Sequence, residues 1–182
     1  MKRINVIGTT GSGKTHFSRA LATRLDCPCI EMDQLFWKPG WTPSSDDVFF
    51  SALKRAIAGD RWVLDGNYSR TQDIKWDRAD TIVWLDFGFL RTLLQLIRRT
   101  FARARSQEEI WPGTGNTETF AKALLSRDSI LLWCVRNHAR NRRRYAALMV
   151  SSDYPGVDRV RLRTSAEVRA FLASAGARGE TT

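Results

Sequence analysis

Gly8-Thr9-Thr10-Gly11-Ser12-Gly13-Lys14-Thr15, close behind the N-terminus, decides how the chain is read. It fits G-x-x-x-x-G-K-T, a loop whose backbone N–H groups curl inward around phosphate oxygens. Its flanks agree with that reading. Ile4-Asn5-Val6-Ile7 before it is an apolar run suited to a buried strand, and Phe17, Leu21 and Leu25 after it recur at helical spacing. A strand, a glycine-rich turn and a helix N-terminus together make an anion site. Gly8, Thr9, Thr10, Gly11, Ser12, Gly13, Lys14 and Thr15 are therefore the candidate nucleotide-binding residues. Lys14 reaches the β- and γ-phosphates in this reading, and the Thr15 hydroxyl ligates Mg²⁺.

Further along, short apolar runs alternate with helical patterns. Strands are expected near 3–7, 29–32, 61–65, 81–86 and 160–162, with helices near 13–25, 44–58, 89–105 and from 165. Such alternation predicts βαβ units around a parallel sheet, an α/β class. Residues 1–175 read as one domain with a lid at about 98–118, and 176–182 as a frayed tail. A long helical stretch is expected over 117–149, with a break near Ser126-Arg127-Asp128.

Composition narrows the class. The 182 residues are 43% hydrophobic and 26% charged, ordinary for a globular domain, and no window approaches a membrane span. Cys27, Cys29 and Cys134 fit no zinc spacing and read as reduced thiols, and with no leader pattern the expectation is a cytoplasmic chain. The formal net charge of +10 suits anionic ligands. A small-molecule phosphate acceptor is the expected partner, nucleic acid a secondary one, and the chain a monomer or homodimer.

What is done with the nucleotide depends on the other motifs. No N-K-x-D guanine reader occurs, which argues against a GTPase. The strand ending Val63-Leu64-Asp65-Gly66-Asn67 lacks the Glu that water-activating ATPases place beside this Asp, so transfer to an acceptor is favoured over hydrolysis. Asp65 is expected to hold Mg²⁺ through water or to hydrogen-bond the loop. Asp33, at the end of the second strand, either orients an acceptor hydroxyl and accepts its proton or caps a loop. Phe36, Trp37 and Trp41 form an aromatic wall for a planar acceptor or pin their loop to the domain; Trp111 is a candidate to close over the nucleotide.

Phosphoryl transfer also needs cations over the moving group. In the helix near 89–105, Leu90, Leu93, Leu94, Ile97 and Phe101 make an apolar stripe expected to face inward. Arg91, Arg98 and Arg105 fall along its edge as lid candidates, Arg98 being the catalytic candidate, while Arg99 and Arg103 are expected to meet solvent. His138 and Arg142 interrupt a later apolar face, as a phosphate-binding pair or as a satisfied histidine beside a snorkelling arginine.

Asp65-Gly66-Asn67-Tyr68-Ser69-Arg70 resembles the D-G-[FY]-P-R segment of adenylate kinases, with Asn-Tyr-Ser in place of Phe-Pro. With Asp33-Gln34-Leu35-Phe36-Trp37-Lys38-Pro39-Gly40-Trp41 and Ile82-Val83-Trp84-Leu85-Asp86, residues 1–150 resemble the DNA topology modulation (FlaR-type) proteins, adenylate-kinase-related chains with this phosphate-binding loop. The resemblance implies a three-layer P-loop NTPase fold with five parallel strands ordered 2-3-1-4-5, an arginine-bearing lid and ATP binding. It also implies that Arg70 grips acceptor phosphate. The expected activity is transfer of the ATP γ-phosphoryl, with Mg²⁺, to a small acceptor bound between Asp33, Trp37 and Arg70, plausible acceptors being nucleosides or nucleotides. The alternatives are an ATP-dependent nucleic-acid-binding protein or a nucleotide-binding regulator.

Overall fold

A computed structural model describes residues 1–106, 109–111, 113–117 and 130–177. Five parallel strands form the central sheet: β1 (Arg3–Gly8), β2 (Cys29–Glu31), β5 (Trp62–Asp65), β6 (Thr81–Leu85) and β7 (Asp158–Leu162). Their spatial order is β2-β5-β1-β6-β7, the predicted 2-3-1-4-5 order counted over sheet strands alone. A two-residue antiparallel pair, β3 (Trp37–Lys38) and β4 (Thr42–Pro43), stands apart as a small hairpin.

The period of two along β1 divides the core. Ile4 and Val6 point to the face covered by α1 (Lys14–Leu25) and α7 (Ser165–Ala177), packing with Phe17, Leu21, Val83, Leu85 and Leu162. Ile7 points to the opposite face, toward α2 (Met32–Phe36), α3 (Asp46–Ala56), α4 (Gln72–Trp76) and α6 (Ile130–Val150), where Phe49, Leu53, Trp62, Trp76, Trp84 and Tyr145 are buried. The result is three layers. Asn5 is a buried polar residue inside an apolar strand, and it is satisfied: its Nδ2 donates to the carbonyls of Leu64 and Gly66, each at 3.0 Å, and its Oδ1 accepts the Trp76 indole N–H at 2.8 Å. That fixes the exit of β5.

Several local expectations change. Strand β2 is one residue shorter than expected, so Asp33 lies in the first turn of α2. Helix α3 starts at Asp46 with Ser45 at its N-cap and no side-chain cap bond, while Ser44 is buried. Helix α5 (Phe89–Ser106) runs through the first part of the expected lid. Positions 107, 108, 112 and 118–129, with the expected break at Ser126–Asp128, and tail positions 178–182 lie outside the described residues.

The phase of α5 is the main correction. Thr92, Leu96, Thr100 and Ala104 are buried, while Leu90 is 73% and Leu94 55% exposed. The cause is close approach of the phosphate-binding loop. A Cβ on Gly11, which sits at φ +85°, would stand 2.7 Å from the Thr92 carbonyl oxygen and 2.8 Å from Leu96 Cβ. Glycine lets the loop backbone lie directly on the ridge of Thr92 and Leu96, and Leu90 and Leu94 turn outward.

Charge is unevenly placed. Helices α5 and α6 together hold ten arginines and no Asp or Glu, leaving 19 Lys and Arg against 19 Asp and Glu in the rest of the chain. No helix among the described residues is long and apolar enough to cross a membrane.

Candidate active site

The carboxyl ends of β1, β5 and β2 open into one cleft of about 1210 Å³, where open α/β sheets bind ligands. Its volume lies above the roughly 300–1,000 Å³ of single-ligand pockets. Its wall includes Thr10, Lys14 and Thr15 from the loop, Asp33, Asp65, the Gly66–Arg70 turn, and residues of α5 and α6.

At the loop end, the Ser12 N–H closes a turn on the Thr9 carbonyl at 3.1 Å, and α1 begins at Lys14. Lys14 Nζ rests on the Thr9 carbonyl at 3.2 Å. Burial lowers its pKa, and the nearby carboxylates of Asp65 and Asp33 oppose that shift. Thr15 Oγ1 donates to Asp65 Oδ2 at 2.6 Å, across the register that sets Val6 beside Asp65. Asp65 is buried, which raises its pKa against the pull of Lys14, and its Oδ1 has no hydrogen-bond partner among the described residues. A hydroxyl and a desolvated carboxylate with an unused lone pair fit a hard cation such as Mg²⁺. The described residues contain no cluster of three His, Cys, Asp or Glu suited to a metal held by protein alone.

At the other end, Tyr68 Oη donates to Asp33 Oδ1 at 2.6 Å. Desolvation and the Asp33 charge raise the Tyr68 pKa, so the phenol stays a donor. Gly66, at φ +142°, is what lets this turn lie against α2, because a Cβ there would stand 2.7 Å from Met32 Cβ. The Tyr68 carbonyl accepts from Thr71 Oγ1 at 2.8 Å and from Lys75 Nζ at 3.2 Å. Lys75 is 2% exposed, and burial, with Arg144 adding to it, takes its pKa down to about 7. Arg70 lines the cleft while pairing with Asp46 at 3.0 Å, its guanidinium 4.9 Å from the Phe36 ring centre.

The candidates thus separate into two groups. Lys14, Thr15, Asp33, Trp37, Asp65 and Arg70 share one cleft. Arg98 and Arg105 are exposed and outside its lining, and Arg91 is engaged elsewhere, donating to Ser165 Oγ at 2.8 Å with its guanidinium 3.7 Å from the Phe87 ring centre. Contrary to the expected phase, Arg99 and Arg103 are the α5 arginines that line the cleft. Sequence reasoning also missed one face of α6, where Trp133, Arg136, Asn137, Asn141 and Arg144 line the opposite wall. Their spacing of three or four was visible, but only the sheet says which face turns inward. Arg142 and His138 lie elsewhere: Arg142 and Arg161 both bind the buried Asp86 carboxylate, at 2.7 and 2.6 Å, and His138 packs edge-on against Phe89.

No family model and no protein of curated function matches the sequence. Solved structures do. A gluconokinase from Sinorhizobium meliloti 1021 is 18% identical, covering 97% of this chain and 92% of that one with a TM-score of 0.53. A shikimate kinase from Acinetobacter baumannii in complex with shikimate is 14% identical over 96% of this chain and 90% of that one, with a TM-score of 0.52. The shikimate kinase of Aquifex aeolicus is 17% identical over 99% of each chain, with a TM-score of 0.50. The fold is that of the P-loop kinases. At these identities the likeness is one of fold, and the topology-modulation resemblance rests on the quoted motifs.

Proposed function

We propose that the protein is a kinase that transfers the γ-phosphoryl group of ATP to a hydroxyl of a small acceptor. One observation carries the reading: Asp33, held by Tyr68, faces the same cleft as Lys14 and Asp65, close enough that Lys14 feels its charge. A carboxylate there suits an acceptor hydroxyl, whose proton it takes, and repels an acceptor phosphate. The acceptor oxygen attacks the γ-phosphorus as its proton passes to Asp33, and the bond to the bridging oxygen breaks to release ADP. The loop N–H groups and Lys14 hold the triphosphate, and Arg99 and Arg103 face the charge that develops. Mg²⁺, held by Thr15 and through water by Asp65, would neutralise phosphate oxygens when bound. Arg70, tied to Asp46 and Phe36, shapes the acceptor end. A gluconokinase and shikimate kinases among the similar folds accord with a small acceptor.

The test is ADP release with nucleosides, nucleoside monophosphates, gluconate, shikimate and duplex DNA, using wild type, Lys14→Ala and Asp33→Asn. An alcohol acceptor should raise turnover in wild type, and Lys14→Ala should abolish it. Asp33→Asn should lower kcat by about 10²–10⁴ while leaving ATP binding in place, the range for a lost general base. Stimulation by DNA alone would replace this reading with a nucleic-acid-dependent ATPase.

A further inference from the structure

The described parts of the segment between α5 and α6, Glu109–Trp111 and Gly113–Thr117, are fastened to the β3–β4 hairpin. Asn116 is fully buried. Its Oδ1 accepts the Trp41 backbone N–H at 2.9 Å, and its Nδ2 donates to the Lys38 carbonyl at 3.0 Å. One side-chain amide thereby does for the hairpin tip what an adjoining strand would do. The Trp41 indole N–H adds a bond to the Thr117 carbonyl at 3.3 Å. That tip needs a clamp, because Trp41 sits in the left-handed region at φ +60°, where a bulky residue rests only if its surroundings enforce it. The segment is braced from within as well. Glu109 accepts the N–H groups of Gly113 and Gly115, and the Ile110 N–H bonds to the Asn116 carbonyl at 2.9 Å.

The clamp delivers an indole. Trp111 is 7% exposed, and its ring lies 5.8 Å from Trp41, edge to face. Trp41 lies 5.7 Å from Trp37, and Trp37 lies 4.9 Å from Phe36. All four rings line the cleft, and this ladder leads to the side where Tyr68 holds Asp33.

We propose that Trp111, carried by the Asn116 clamp, is the outer wall of the acceptor subsite and, with Trp37 and Trp41, selects acceptors that present a flat apolar face. The word acceptor rests on the kinase reading above; the clamp does not. A flat face gains from several aromatic neighbours what a polyhydroxy chain cannot. The segment therefore answers to the acceptor and leaves the affinity for ATP alone.

Two measurements test this on the full chain, with thermal melting to confirm folding of each variant. The first needs no turnover. Asn116→Ala should raise acrylamide quenching of tryptophan emission about twofold, as expected for local opening, and Asn116→Asp, which keeps Oδ1, should raise it less. The rise should vanish when Asn116→Ala is made in a Trp111→Phe background. The second is a KM split with adenosine, guanosine, cytidine, uridine, gluconate and shikimate as probes. Trp111→Ala should raise the nucleoside KM about tenfold, the loss of one stacking contact, at unchanged ATP KM. Unchanged quenching in Asn116→Ala overturns the clamp. An ATP KM that rises while the acceptor KM stays, or turnover of gluconate or shikimate with no nucleoside used, overturns the acceptor wall while the kinase reading stands. If wild type turns over none of the six and duplex DNA alone raises ADP release, the kinase reading falls, and quenching alone decides the clamp.

Discussion

The donor end of the cleft is made by consecutive residues, Gly8–Thr15, closed by one carboxylate from the neighbouring strand, whereas the acceptor end is gathered from α2, the β3–β4 hairpin, the turn after β5, α5 and α6. In the reading proposed above, backbone N–H groups do most of the holding at the first and side chains do it at the second. A backbone cradle recognises one feature, the phosphate chain, and admits little variation. A wall of aromatic and guanidinium side chains can be re-cut one residue at a time. The solved structures of similar fold include a gluconokinase and shikimate kinases, one fold with different sites.

The comparison breaks most sharply at Gly11. An alanine there meets both the φ +85° backbone and the Thr92 carbonyl. Strain of about 1–3 kcal/mol, relieved by opening the cradle, should weaken ATP–Mg²⁺ binding about 5- to 150-fold in calorimetry. A Gly11→Ala variant that binds ATP normally would mean that the loop tolerates what its packing forbids. The next effect separates the two faces of α5. Arg99→Ala or Arg103→Ala should lower kcat by about 100-fold, the scale for a lost transition-state donor, with Arg98→Ala and Arg105→Ala close to wild type in the same assay. Equal effects at all four positions would point to overall charge as the cause.

The third effect is read as stability and leaves activity aside. Lys75, with a pKa near 7 in the fold and 10.5 when unfolded, is neutral in the native state over a range where the unfolded chain still binds a proton. The unfolded state then holds more protons, so stability rises with pH between about 7 and 10.5, by at most about 1.4 kcal/mol per unit. Lys75→Met lacks that dependence. The melting temperature of wild type minus that of Lys75→Met should climb over this window and level off below it. A flat difference would mean that Lys75 is charged where it meets the Tyr68 carbonyl.

Much of the donor end was legible because its determinants are local. Spacing placed the loop between β1 and α1 and the alternation of runs pointed to a parallel sheet, while the strand order was implied by the resemblance to the topology-modulation proteins. The roles read into Lys14, Thr15 and Asp65 follow from that placement. The acceptor end was legible only in parts. Asp33, Trp37 and Arg70 lie in the cleft, but the α5 arginines were assigned by assuming that the most apolar stripe faces inward, and a glycine pressed against Thr92 and Leu96 reversed the choice. Nothing local in the sequence of α6 could single out Arg136 and Arg144, since five arginines lie along that helix and only its seat against Asp86, Trp84 and Thr10 selects among them. The buried amide of Asn116 was likewise invisible, because its partners are more than seventy residues away in Lys38 and Trp41.

The ten arginines of α5 and α6, set against a remainder in which positive and negative charges balance, place the whole formal excess of +10 on two helices. An anion whose charge sits at one end, as on a polyphosphate tail, experiences a torque as well as a pull in that field, so it is turned before it is touched. Capture then begins as a matter of orientation in solution, and added salt should slow encounter without altering the shape of the cleft.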